Sequence, residues 1–369
     1  MIEEARPSIF ERNPRKTVAI LLLLGVVGTD LACTRVYHWL SPRPAERGET
    51  GLRVRSEIFH HGFKPLASAR SSWGSLRADY RIDSLGLRDA SAREVPLRSD
   101  RRRLVFVGDS FTEGIGIDYE KTFVGLVAQA LEPKGIEVVN AGCASYSPVI
   151  YYRKIRWLLD QGFQFDELAV YVDVGDVQDE VTYFLDGDGN VASDERRRLR
   201  EERQNIRYPL PRLLRNLTAR QFLKRNTIAL FALYEGMENA VATEDRRDGL
   251  WTVDPRLYEE FGREGLARAR RNMDLLAGLL AERGIRLTVA VYPWPDQIRH
   301  GDLESLQVSF WKQWAAGKGA DFIDYFPRFV EPGRSREILA RQFIRGDIHW
   351  NEAGHRTIAD GFLEHPAER

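Results

Sequence analysis

Apolar and polar positions along the chain alternate between two periods. Arg103–Val107 is a short, mostly apolar run that reads as a strand and ends in Gly108-Asp109-Ser110. Residues 118–132 place Phe123, Leu126, Val127, Ala130 and Leu131 on one helical stripe. Ile136–Asn140 reads as a second strand and Pro148–Leu159 as a helix. Glu167–Val174 is a third strand, rich in Val. Arg263–Arg283 is a helix with Leu266, Ala269, Met273, Leu276 and Leu280 on one face and Gly284 as its stop. Ile285–Tyr292 is a fourth strand, Leu303–Ala316 a helix, Ala320–Tyr325 a fifth strand, and Asn351–Phe362 a closing helix. This order predicts an α/β fold: a parallel five-stranded sheet with helices on both faces. Function then belongs at the carboxyl ends of the strands.

Two segments break the rhythm. Residues 40–100, with SPRPAERGETG and many Arg and Ser, read as a stalk and an irregular lead-in to a domain spanning 101–369. Residues 177–258 read as a helical insertion between strands three and four. They carry the charge run Asp194–Arg203 and a basic amphipathic stretch, Pro211–Leu233. The charge run reads first as a solvated helix face, with a lid or docking element as the other reading.

The N-terminus changes the picture. Thr17–Thr29 is an uncharged, mostly apolar run of 13 residues behind Arg12, Arg15 and Lys16. Three readings compete: a cleaved signal peptide, a lipoprotein signal using Cys33, and an uncleaved signal anchor. No clean small-x-small cleavage site follows, and Asp30 stands where a lipoprotein signal wants an aliphatic residue. Thr17–Trp39 is 23 residues, about 35 Å as a helix, enough to cross a bilayer. Tyr37 and Trp39 suit the far interface and the basic residues suit the inside. The anchor is favoured, with 1–16 cytoplasmic, 17–39 in the membrane, and the rest extracytoplasmic, periplasmic or at the cell surface. A buried core helix is the remaining alternative.

Composition narrows the function. Lys+Arg and Asp+Glu are both 54, which argues against a nucleic-acid partner bound by bulk positive charge. Two cysteines, Cys33 and Cys143, exclude a disulfide scaffold. Seven histidines show no metal-ligand spacing, so no metal or cofactor is expected. Asp186-Gly-Asp188-Gly-Asn190 opens like a calcium loop but continues with Val191 and Arg197 where Gly and Glu are needed. His60-His61 reads as an isolated surface pair.

Two short pieces carry chemistry. Gly108-Asp109-Ser110-Phe111-Thr112 sets a serine at a strand-to-helix turn. Asp347-Ile-His349 precedes the last helix. A serine attacks only when a base takes its proton, and the base needs a carboxylate to fix its tautomer. Either piece alone is a weak signal. Together they pair a candidate nucleophile with a candidate base at opposite ends of one domain.

On GDSFTEG, VVNAGCASYSP, VDVGDVQDE and DIHWNEAGH, the chain resembles the SGNH/GDSL hydrolases. The lead-in YRIDSLGLRD is similar to that of membrane-anchored bacterial members. The resemblance covers roughly 78–180 and 285–365. It implies a three-layer α/β/α, flavodoxin-like fold and ester hydrolysis through an acyl-serine. Ser110 would be nucleophile, His349 base and Asp347 its orienter. The family's oxyanion glycine aligns with Ser145, with Gly142 close by. Its Gly-x-Asn-Asp block aligns with Asp173-Val-Gly175-Asp176, so Gly175 stands where the donor Asn is expected. Asp-x-His resembles the alginate-type polysaccharide O-acetyltransferases. Trp294 and Trp350 are candidate pocket walls, each with core packing as its alternative. Three functions follow: an esterase for small acyl groups such as acetyl on an envelope polysaccharide; an O-acetyltransferase fed by a membrane acyl-supplying partner; or a carbohydrate-binding protein on a degenerate hydrolase fold.

Overall fold

The computed structural model describes residues 13–40 (side chains to 35), 51–73, 76–194, 227 and 246–365. Helix α1, Pro14–Leu40, belongs to a unit separate from the main body. Its stretch Pro14–Arg35 is long and apolar enough to cross a membrane, with a mean hydropathy of 2.0 over its most apolar window. Leu21–Leu24 are exposed on it.

The body spans Arg47–Arg207 and Glu244–Arg369. Its five central strands are β6 (Arg103–Gly108), β7 (Glu137–Asn140), β8 (Glu167–Val172), β11 (Arg286–Val291) and β12 (Asp321–Asp324). They pair in parallel in the order β12-β11-β8-β6-β7. Numbered by sequence this is 2-1-3-4-5, a doubly wound order whose direction reverses between β6 and β8. Every residue of β6 and β8 is buried. That is why these strands read as continuous apolar runs rather than alternating ones.

Helices cover the sheet. The pair α3 (Phe123–Leu131) and α10 (Glu352–Glu364) pack together, as do α4 (Pro148–Asp160) and α6 (Arg263–Ala281). The predicted stripe on α6 is the observed one: Leu266, Ala269, Met273, Leu276 and Leu280 are buried.

The sheet is larger than the expected five strands, and the lead-in expected to be irregular within 40–100 is regular over its described part, while residues 41–50 of the expected stalk lie outside the described residues. Strands β3 (Ser68–Trp73), β4 (Leu76–Ile82) and β5 (Arg88–Asp89) extend it antiparallel beyond β7, giving eight strands. A hairpin, β1 (Arg53–Ser56) with β2 (His60–Phe63), precedes them. The cause of the misreading is physical. β3 is an exposed edge strand with a polar sequence, SARSSW, so it carries no apolar alternation. Arg88 shows how tightly this extension joins the core. It is buried, lies over the Tyr80 ring, and donates to the carbonyls of Glu113, Gly114 and Ile117.

Both ends of the expected insertion are likewise core. α5 (Asp176–Thr182) runs into the hairpin β9 (Tyr183–Leu185) and β10 (Val191–Ser193), and Trp251 is buried with its indole donating to the Val174 carbonyl. The charge run from 195 onward and the amphipathic stretch, apart from Thr227, lie outside the described residues.

His355 on α10 is buried, and its Nδ1 accepts the Phe123 amide. Burial, then the charges of Arg88 and His349, push it down to about 3. The unfolded chain takes up a proton below about 6.5 that the folded chain refuses. Stability should therefore fall as pH drops from about 6.5 toward 3. His355→Gln should flatten that slope by ~1.4 kcal/mol per pH unit, measured by urea unfolding across the range. An unchanged slope would show that His355 is not the linked group.

Candidate active site

The site forms where the sheet order reverses. β6 ends at Gly108, where an added Cβ would sit 2.2 Å from Thr112 Oγ1. Only glycine permits so tight a strand-to-helix turn. Asp109 then caps the short helix α2 (Ser110–Glu113), its Oδ1 accepting the Phe111 amide at 2.9 Å. Ser110 follows with its hydroxyl at the surface of the turn and 9% of its area exposed.

His349 arrives from the other end of the chain. Helix α9 (Ser335–Gln342) leads into a loop closed by the Phe343–Trp350 bridge and by the Ile344 amide on the His349 carbonyl. Asn351 caps α10 by accepting the Ala353 and Gly354 amides. Trp350 is fully buried against Phe111, Tyr292 and Phe329. It pins the loop from below, the packing that its core reading expects.

So held, His349 Nε2 lies 2.8 Å from Ser110 Oγ, and its Nδ1 lies 2.5 Å from Asp347 Oδ1. The His349 backbone amide donates to the same carboxylate oxygen. Trp73 Nε1 donates to the other, Oδ2, at 2.6 Å, with its ring edge-on to the imidazole. Burial alone would raise Asp347. The His349 charge and these three hydrogen bonds outweigh it and bring the carboxyl down to about 2. The Ser110 hydroxyl also lies 3.1 Å from Asp109 Oδ2, so two acceptors flank its single proton.

The expected oxyanion residues divide. Ser145 is exposed, with φ 61, the left-handed region that suits the aligned glycine. The Gly142 amide is already spent on Asn140 Oδ1, so it has no free donor. Gly175 packs under the Trp294 ring: a Cβ there would lie 2.9 Å from Trp294 Cζ2 and 3.0 Å from Asp173 Oδ1. Trp294, on the loop before α7 (Pro295–His300), is buried and donates to Asp173 Oδ2. Asp176 accepts from Tyr151 and from the Asp173 amide, holding the loop rather than facing outward. Burial, then mutual repulsion within the Asp109, Asp173 and Asp176 cluster, holds Asp173 and Asp176 well above the usual carboxylate range.

Sequence reasoning missed several neighbours. Trp73 was one, although a lone tryptophan closing a polar strand was a signal. Glu113 was in the quoted motif without a role. Its buried carboxylate joins Arg53, Tyr80 and the Ala144 amide beside Ser145. Burial, the largest single influence, would raise it, but Arg53, the Ala144 amide and Arg88 together lower it. His60 and His61 are not a surface pair: they are half-buried, and His61 Nε2 meets the Ala144 carbonyl at 2.7 Å. No group of three or more His, Cys, Asp or Glu suited to a metal occurs among the described residues.

No protein-family profile and no curated protein matches the chain. Solved structures do. The esterase EstA from Pseudoalteromonas sp. is similar at 11% identity and TM-score 0.39, over 71% of this chain and 95% of that one. A lipolytic protein of the G-D-S-L family from Desulfitobacterium hafniense is similar at 12% and 0.39, over 70% and 97%. An acetylxylan esterase, Axe2 from Geobacillus stearothermophilus, is similar at 16% and 0.37, over 72% and 93%.

The Gly175 contact gives a direct test. Gly175→Ala should cost about 1–3 kcal/mol through overpacking against Trp294, seen as a lower melting temperature. Trp294→Leu in the same chain should recover part of it. An unchanged melt would mean that the Trp294 contact is loose.

Proposed function

We propose that the chain is an extracytoplasmic serine esterase of the SGNH type that hydrolyses small acyl esters, acetyl among them. The observation that carries this reading is the chain of hydrogen bonds from Ser110 through His349 to Asp347. Each member has the chemistry its place requires. An ionised Asp347 accepts the Nδ1 proton, which leaves Nε2 as the base toward Ser110. As Oγ bonds to the ester carbonyl carbon, its proton passes to Nε2, and Asp347 steadies the imidazolium. Collapse of the tetrahedral intermediate breaks the bond to the leaving alkoxide, which takes that proton. Water repeats the sequence and frees the acid, restoring Ser110.

The developing oxyanion is assigned to backbone amides at Ser110 and Ser145. With Gly175 in place of an amide side chain, one donor is missing, an effect worth about 10²–10³ in turnover at other oxyanion holes. A modest kcat is the consequence. Helix α1 serves as the anchor, with the basic residues Arg12, Arg15 and Lys16 that precede its apolar run on the cytoplasmic side.

A second reading keeps the acyl-serine and delivers the acyl group to a sugar hydroxyl. The exposed Trp73 ring beside His349, 38% exposed, favours it, because a flat apolar face there can seat a sugar acceptor.

The test is p-nitrophenyl acetate hydrolysis with labelling by a fluorophosphonate. Ser110→Ala and His349→Ala should each lose about 10⁶-fold, and Asp347→Asn about 10⁴-fold. The label should fall on Ser110. Wild-type turnover no faster than that of the Ser110 and His349 variants would contradict the esterase. A polysaccharide that diverts the acyl group from water would select the transferase.

A further inference from the structure

Trp73 reaches the site from outside the parallel sheet. It ends β3, the exposed edge of the antiparallel extension. Yet its indole nitrogen lies 2.6 Å from Asp347 Oδ2, across 274 residues of sequence. Asp347 Oδ1 takes both the His349 ring and the His349 backbone amide. Oδ2 takes Trp73 as its one described hydrogen-bond donor. The indole ring also stands edge-on to the imidazole, 5.3 Å between centroids at 89°.

These contacts divide the work on one carboxylate. The Asp-x-His turn supplies short, local contacts to Oδ1, but leaves the carboxyl free to turn about its Cβ–Cγ bond. A donor on Oδ2 stops that rotation. It thereby keeps Oδ1 aimed at Nδ1 and Nε2 aimed at Ser110. The edge contact limits the tilt of the imidazole itself. From this geometry we infer that Trp73 is a positioning residue of the Ser110–His349–Asp347 relay, acting through Asp347, and that the antiparallel extension exists in part to deliver it. The inference rests on the hydrolase reading for its consequence in turnover, and on geometry alone for the contact.

The charged groups around Asp347 are His349 and Arg246, whose guanidinium is fixed on Asp248. Trp73 donates without adding charge. Its removal therefore leaves more negative charge on the carboxylate that faces the imidazolium.

The experiment uses the full chain and four variants. Trp73→Phe keeps a ring and loses the N–H. It should lower kcat about tenfold with KM nearly unchanged, and move the acid limb of kcat/KM to higher pH by a few tenths of a unit. Trp73→Gln, which restores an N–H at similar reach, should recover part of kcat. The melting temperature of each variant separates folding from positioning. Independently of turnover, indole ¹⁵N–¹H spectra resolve the contact. The chain has 8 tryptophans, and the peak lost in Trp73→Phe should lie downfield. It should move upfield in Asp347→Asn and stay in place in Ser110→Ala. If the peak is ordinary and insensitive to Asp347→Asn, or if Trp73→Phe keeps wild-type kcat and pH profile in an active enzyme, the inference is overturned. A shifted peak in a chain with no esterase activity would instead overturn the hydrolase reading while keeping the contact.

Discussion

Ser110 Oγ and His349 Nε2 stand 239 residues apart in sequence and 2.8 Å apart in space. A contact this short between two loops survives only if both loops are clamped from several sides. On the serine side the clamp is the glycine turn at 108, the Asp109 cap, and Arg88 reaching across from β5 to the carbonyls that end α2. On the histidine side it is buried Trp350 below, the bridge to Phe343, and the Asn351 cap beyond. Phe111 joins the two, packing against both His349 and Trp350. Placing the first strand centrally is what makes this meeting possible, because the doubly wound order brings the end of the chain back over the strand that began the sheet.

The same packing explains what the site lacks. Asp173 and Trp294 fill the space over Gly175, so a donor side chain there has no room. The loop holds instead a buried indole–carboxyl contact and a cluster of three carboxyls beside the serine. Two of those carboxyls favour the protonated state because burial and neighbouring negative charge both disfavour ionisation. In the proposed reaction the oxyanion would fall to main-chain amides. The Ser145 loop that would present one is braced from both directions, by Glu113 on the Ala144 amide and by His61 on the Ala144 carbonyl.

Much of the parallel sheet was legible in the sequence. Strands such as Glu167–Val172 are buried on both faces and therefore announce themselves as apolar runs. Ser110, Asp347 and His349 were legible as residue types at a turn and before a helix, and the structure brings them together. The antiparallel extension was not, because an edge strand such as Ser68–Trp73 buries too little to impose a period. Trp73 and Glu113 escaped for a related reason. Each acts through long-range hydrogen bonds, one for Trp73 and several for Glu113, and sequence spacing holds no record of such contacts. Gly142 shows the converse: a glycine placed correctly near the site has its amide taken by Asn140, a detail that only geometry supplies. Trp350, read either as a pocket wall or as core, is fully buried under the loop that carries His349.

The proposed reaction passes through a covalent bond between an acyl group and Ser110 Oγ. Rapid-quench mass spectrometry of the full chain mixed with an activated acetate ester measures it directly. The account predicts one acetyl group per chain within the first turnover, on the peptide that carries Ser110, gone after deacylation and never formed in His349→Ala. Acetyl found instead on Cys143, at equal levels with and without His349, would contradict it.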